Sequence, residues 1–416
     1  MRGGHAVTGV GLDPSARTVS VDRRAGGANA ELRHGRQSIG ESSQAVARYV
    51  EAMDVDAAAR REAHDRLRAF TFTVFSQLQG AVTAGMIHLG DRLGLYGALA
   101  AADAPLTSAE LAASIGLDER WVREWLANQA AARLIECDEA VDRFWLTGEG
   151  RAVLASPQHP AFGMGLFHHL PQTMQALERL PESFRTGLGH DYDSHGPETA
   201  VGIERGFEPW SNANLLRKVL PAMDGVVERL REGIAVADVG CGAGSAVLLL
   251  AEAFPASTFV GYDISSHALA RANEKLAVSG LGNARFADPR ADPLPDDGSL
   301  GLVTTFDCLH DMAHPDEVVA AIRRALGDDG RWLLVDIQAR DTIAENIAEN
   351  PMAAMLYGIS VLSCMSSSLS EPGGAGLGTL GLAASRAEQI ARDAGFTRFR
   401  QLDVAHALNA FYEIAP

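Results

Sequence analysis

The residues Asp238 to Gly244 read DVGCGAG and stand between an apolar run, IAVADVG, and a helical one, SAVLLLAEAF. Glycines at alternate positions, Gly240, Gly242 and Gly244, let a backbone approach a ligand without Cβ clashes and permit positive φ. The helix that follows offers its N-terminus to an anionic group such as a carboxylate. Asp263 closes the next apolar run, TFVGYD, where a carboxylate can accept two hydrogen bonds from a ribose diol. Asp288 follows a third run, ARFAD, and is placed to meet an adenine exocyclic amine. A nicotinamide dinucleotide is the rival ligand, but its G-x-G-x-x-G/A spacing needs Gly or Ala where Ser245 stands. Asp238 before the glycines and a third acidic strand end favour S-adenosylmethionine. Ile264 and Phe306 complete the expected cofactor set with Asp238, Gly240, Gly242, Gly244, Asp263 and Asp288.

His310 lies past the fourth apolar run, LVTTFD. A neutral imidazole there can take a proton from a phenol or enol near neutral pH. Asp307, three residues earlier, could orient it or accept from a substrate amine. The bland alternative is that His310 caps a helix. His168, His169, Trp210 and Tyr357 are expected on a substrate-pocket wall, with His314 in a turn. No tight His pair or carboxylate cluster suggests a metal. The segment after ENPMAAMLYG is rich in Met, Ser and Gly, and its glycines 373–378 read as a lid hinge or an exposed loop.

These groups need a scaffold. From Ile234 strands and helices alternate, which predicts an α/β domain, a doubly wound seven-stranded Rossmann-like sheet with ligand at the carboxyl ends of its strands. Before it, Thr107 or Ser108 caps a short helix with Glu110 as capping-box partner, and Gly116 ends it. Asp118 caps a second helix bearing Trp121, Val122, Trp125 and Leu126. The runs RLIEC and FWLT then suggest a hairpin, so the order is that of a winged helix. A regulator that binds DNA through it is the competing function. Residues 105 to 150 hold four Arg, no Lys and nine Asp or Glu, the wrong balance for a phosphate backbone.

The expected organisation is an unstructured extension over 1–50, an α-helical winged-helix domain over 55–155, a helical linker and substrate region over 156–230, and the α/β domain over 231–416 with a lid-like insertion at about 341–380. The chain has 416 residues, 47% of them apolar, and a formal net charge of −17. That length calls for more than one core, and that charge disfavours nucleic acid and anionic membranes as partners. Four scattered cysteines form no ligand or disulfide pattern, so a reduced cytoplasm is expected. No apolar run is long enough to span a bilayer, and the N-terminus lacks a signal-peptide core.

VADVGCGAG, GYDIS, ARFAD and TTFDCLHDMAHP resemble the successive motifs of class I S-adenosylmethionine-dependent methyltransferases. The preceding segment resembles the winged-helix dimerisation domain of small-molecule O-methyltransferases. GDRLGLYGALA, WVREWLANQAA and LGTLGL are similar to an actinobacterial group of such enzymes. The resemblance covers the chain from about residue 70 onward. It implies methyl transfer to a small molecule, oxygen ahead of nitrogen or carbon, and a homodimer through the N-terminal helices. In the O-methyltransferases a His-Asp pair followed by Trp supplies the general base. Here the pair is His310 and Asp311, and Met312 replaces the Trp.

Overall fold

The computed structural model describes residues 34–416. The unstructured extension expected for the first residues therefore lies outside the described residues up to 33. From His34 that expectation is corrected, because a single helix runs over His34–Arg92. This stretch holds no proline and many Ala, Arg, Glu and Gln residues, all compatible with a helix interior. The chain divides into two compact units, Met1–Gln77 and Leu78–Pro416. Phe70, Phe72, Phe75, Leu78 and Val82 of the long helix are all more than half exposed.

In the second unit, helix Ser108–Ile115 starts with a complete Thr107/Glu110 capping box and stops at Gly116 in the left-handed region. Helix Glu119–Ala131 is capped by Asp118, whose carboxylate accepts from the backbone of Arg120 and Trp121. Strands β1 (Glu136–Cys137) and β2 (Phe144–Trp145) pair antiparallel as the wing. Trp125, Leu126, Leu111 and Tyr96 form the core of this part. Trp121, on the same helix as Trp125, is 80% exposed.

The α/β part contains β3 (Ala235–Val239), β4 (Thr258–Tyr262), β5 (Ala284–Ala287), β6 (Leu300–Phe306), β7 (Leu326–Ile337), β8 (Arg398–Gln401) and β9 (Asn409–Ala415). They form one sheet in the order β5-β4-β3-β6-β7-β9-β8. β3 to β7 are parallel, and β9 runs antiparallel between β7 and β8. Central strands buried on both faces must be apolar throughout. Val236, Ala237, Leu302, Val303, Leu333 and Leu334 satisfy this, and two clusters pack on opposite faces of the sheet. The chain leaves β3 toward β4 and β5, then returns to place β6 on the other side of β3. That reversal opens a crevice at the carboxyl ends of β3 and β6, the place where such sheets bind ligands.

The segment expected to act as a lid is largely helical, with helices Ile343–Glu349 and Ala353–Ile359, a π-turn at Ser360–Cys364 and helix Met365–Ser368. Its glycine run is fastened down. Ser368 Oγ donates to the Met312 carbonyl and accepts from Gly376 N, while Ala375 N donates to the Ala313 carbonyl.

Candidate active site

The glycine loop closes over the end of β3. Gly240 N and Cys241 N both donate to the Tyr262 carbonyl, and Gly242 N donates to Asp263 Oδ2 at 2.7 Å. Its three glycines take positive φ of 73°, 54° and 74°, but they serve different ends. A Cβ on Gly240 would meet Cys308 Sγ at 2.6 Å, and one on Gly244 would meet the Phe286 ring at 2.3 Å. Those two are glycines because protein packs against them. A Cβ on Gly242 would meet nothing within 4 Å, so only this glycine keeps space clear in front of the loop.

Asp263 Oδ1 accepts from Ser265 N and its other oxygen from Gly242 N, so the carboxylate is aimed by two backbone donors. Ile264 beside it is 52% exposed, an apolar surface open to a flat ligand. Asp238 is buried and accepts from Thr304 Oγ1 at 2.6 Å; burial pushes its carboxyl up to about 7. Burial also raises Asp263. Carboxyls destabilised as anions in this way favour a cationic ligand beside them. Phe306 ends β6 with its ring 5.2 Å from Phe207 of helix Pro197–Asn214. Asp288 differs from expectation, because Arg290 grips both its oxygens and also donates to the Ile264 carbonyl.

His310 sits in the short turn Leu309–Asp311 beyond β6 and is 3% exposed. Its Nδ1 lies 2.6 Å from Asp336 Oδ1. Burial alone would lower the imidazole pKa, but the Asp336 carboxylate outweighs it and holds the ring well above its ordinary value. Asp336 therefore takes the orienting place that sequence had given to Asp307. Asp307 accepts from Asn409 Nδ2 instead, in the left-handed backbone region at φ 51°. Burial raises its carboxyl to about 7, and that of Asp311 likewise. The reason for the exchange is topological: β6 and β7 pair in parallel, so the end of β7 delivers Asp336 beside the turn after β6.

Tyr192 was not singled out from sequence. It belongs to the short turn Tyr192–His195. Burial raises its phenol well above the usual value, with the negative charges of Asp311 and Asp263 adding to the shift. The phenol thus stands within electrostatic reach of both the Asp263 carboxylate and the post-β6 turn. The 190s segment has no periodicity or motif that could have marked it.

The four expected pocket-wall residues separate. His168 Nε2 bonds Glu198 and its Nδ1 accepts from Arg205, which in turn grips Asp91 with two nitrogens. Both ring nitrogens are spent on joining helices, so His168 is a structural hub. His169 bonds the Gly165 carbonyl, and burial lowers its pKa to about 4. Trp210 packs edge-on to His406 at 4.6 Å and against Phe411 at 5.5 Å, half-buried against the core under the sheet. Tyr357 lines a separate cavity of about 450 Å³ with Arg340, Asn346, Ser360 and Arg386. His314 lies within 3.5 Å of Glu371. Among the described residues no group of three His, Cys, Asp or Glu could hold a metal ion.

Residues 230–374 match the family described as methyltransferase domain. The chain carries a methyltransferase domain. Residues 81–156 match the Rv2258c-like winged HTH domain. Solved structures share the fold of this chain. The mitomycin 7-O-methyltransferase has TM-score 0.61 and 21% identity, over 86% of this chain and 99% of that one. An O-methyltransferase family protein from Burkholderia thailandensis has TM-score 0.60 and 17% identity, over 83% and 97%. Human N-acetylserotonin methyltransferase in complex with SAM has TM-score 0.59 and 17% identity, over 82% and 96%. The polyketide synthase ThaQ of Burkholderia thailandensis is 35% identical over 107 residues, which are 25% of this chain and 5% of that protein. The chain thus spans about a twentieth of the length of that curated relative.

Proposed function

We propose that this S-adenosylmethionine-dependent methyltransferase methylates an oxygen of a small-molecule acceptor in specialised metabolism, with His310 as general base. One observation carries the reading: a buried imidazole, held at 2.6 Å by Asp336, stands at the sheet crevice beside the glycine loop. A base oriented by a carboxylate is what deprotonation of a hydroxyl requires. An amine arriving neutral would not need it. The fold relative that methylates mitomycin at an oxygen supports the same direction.

In this reading Gly242 admits the cofactor backbone, Asp263 takes the ribose hydroxyls, Ile264 and Phe306 flank the adenine side, and Asp288 with Arg290 borders its edge. Gly240, Gly244 and Asp238 shape and support the loop. The bound cofactor supplies an electrophilic methyl group. The buried carboxyls of Asp238 and Asp263 suit its positive charge. His310 Nε2 takes the acceptor proton, Asp336 steadies the resulting imidazolium, and Tyr192 screens the turn from water. Incubation of the protein with metabolite extracts and an isotope-labelled methyl donor tests the acceptor. Labelled methyl ethers are expected by mass spectrometry and NMR. Products carrying the label only on nitrogen or carbon would overturn the oxygen assignment.

Five apolar side chains of the long helix are each more than half exposed, and large exposed apolar surfaces mark interfaces. We accordingly assign a homodimer through the N-terminal helices. Light scattering should return the mass of two 44.1 kDa chains, and a stable monomer at micromolar concentration would refute it. No helix among the described residues is long and apolar enough to cross a membrane. We place the enzyme's work in the cytoplasm, on the ground that its four cysteines are free.

A further inference from the structure

The strands β4, β3 and β6 lie side by side in that order. The glycine loop after β3 therefore has the Asp263–Ser266 turn on one flank and the Leu309–Asp311 turn on the other. The segment Gly189–Asp193 is fastened on both flanks. On the β6 side, helix Met365–Ser368 packs against the turn Leu309–Asp311 and receives the backbone of the segment. Gly189 N donates to the Leu369 carbonyl at 2.8 Å, and His190 N donates to the Ser366 carbonyl and to Ser366 Oγ. On the β4 side, Asp193 Oδ2 accepts from Ser266 N at 3.0 Å and from Ser266 Oγ at 2.6 Å. Ser265 N, one residue earlier, donates to Asp263 itself. Two carboxylates from distant segments thus end on consecutive amides of one turn.

The length of the segment suits a crossing. Four residue steps of extended chain reach about 13 Å, and two strand spacings, from β4 to β6, measure about 10 Å. The segment therefore passes over the carboxyl end of β3, with Tyr192 in its span. The Tyr192 phenol feels Asp263 on one flank and Asp311 on the other, as a crossing requires.

The two fastenings differ in kind. A Cβ on Gly189 would meet the Ser366 carbonyl oxygen at 1.8 Å, so backbone lies directly on backbone there, and Ser366 is 4% exposed. The other end hangs on one side chain, Asp193, and its partner Ser266 is exposed. Just past it, Gly196 takes φ 79° ahead of helix Pro197–Asn214 and gives the chain a place to turn. Segments held by few, exposed hydrogen bonds open at low free energy, so the Asp193 end is the one that releases.

We infer that Asp193 is a positioning residue of the cofactor site: it latches Gly189–Asp193 as a strap across the crevice, and release of this latch gates the exchange of S-adenosylmethionine and S-adenosylhomocysteine. This rests on the cofactor lying against Gly242 and Asp263. The glycines at 373–378, tied to Met312 and Ala313, are not the moving part. A strap fastened by protein groups alone opens as often over an empty crevice as over a filled one. Such a gate has no differential affinity to offer, so it changes arrival and departure rates together and leaves the equilibrium where it was.

The test is stopped-flow measurement of S-adenosylhomocysteine association and dissociation with the full-length protein. In Asp193→Ala both rates should rise about tenfold, the ratio that corresponds to ~1.4 kcal/mol, with Kd unchanged. Ser266→Ala removes only the hydroxyl donor and should raise both rates by less. Hydrogen exchange of the peptide 189–196 should also quicken in Asp193→Ala without ligand. Unchanged rates would overturn the inference. So would faster dissociation with unchanged association, because Asp193 would then merely support the bound cofactor. Circular dichroism identifies a variant that has lost its fold, and in that event Ser266→Ala decides by the same pair of rates. Failure of the wild type to bind S-adenosylhomocysteine would instead overturn the cofactor site itself, and the exchange of 189–196 would still show whether Asp193 holds the strap.

Discussion

Replacing His310 with alanine is expected to lower turnover by roughly 10²–10⁴-fold, the usual loss when a positioned base is removed. The cofactor affinity should barely move, because Gly242 and Asp263 lie on the loop after β3 and at the end of β4. The pH profile makes the test specific. A general base works deprotonated, so the rate falls as pH drops through its pKa. Asp336 raises that pKa above the ordinary histidine value of about 6.5. The acid limb of kcat/KM should therefore lie above that value in the wild type, move to lower pH in Asp336→Asn, and vanish in His310→Ala. The same pair has a stability signature of opposite sense. A raised imidazole pKa stabilises the fold fully below the unfolded-state value, and that contribution is lost as pH rises through the folded-state value. Unchanged turnover in a folded His310→Ala enzyme would reduce the histidine to a structural role and shift the acceptor toward an amine.

The second large effect is expected at Gly242. Replacement by valine should abolish binding of S-adenosylhomocysteine in isothermal titration while the fold survives. Gly242 is the loop glycine whose added Cβ would enter open space rather than protein. Its positive φ of 54° adds a backbone cost of about 1–2 kcal/mol, which a thermal melt should register as a modest loss. Gly244→Val is the contrast: there the new side chain meets Phe286, so folding itself should suffer. Wild-type affinity in a folded Gly242→Val protein would mean that the ligand does not approach this loop.

The sequence by itself determined what local rules can reach. The capping box at Thr107 and Glu110, the stop at Gly116 and the Asp118 cap each depend on residues within one helical turn. The alternation after Ile234 fixed the doubly wound domain, because apolar runs of strand length and helical faces announce themselves without knowledge of their neighbours. The glycine loop, Asp263 and His310 could be nominated for a related reason, since such sheets collect their chemistry just past the strand ends.

Tertiary structure decided which of these groups meet. Asp307 was the nearer carboxylate in sequence, yet Asp336, 26 positions from His310, reaches its ring. Nothing in RWLLVDI says that its last carboxylate will face a turn on the adjacent strand; the parallel register of β6 and β7 says so. Tyr192 comes within electrostatic reach of the same turn from a segment without a motif. Trp210 and His168 moved the other way, from expected pocket to core edge and helix hub, because the packing of helix Pro197–Asn214 supplied them with protein partners. Composition reveals that a side chain can bind or react. Whether solvent, ligand or protein satisfies it depends on residues far along the chain, and only the folded arrangement brings those together.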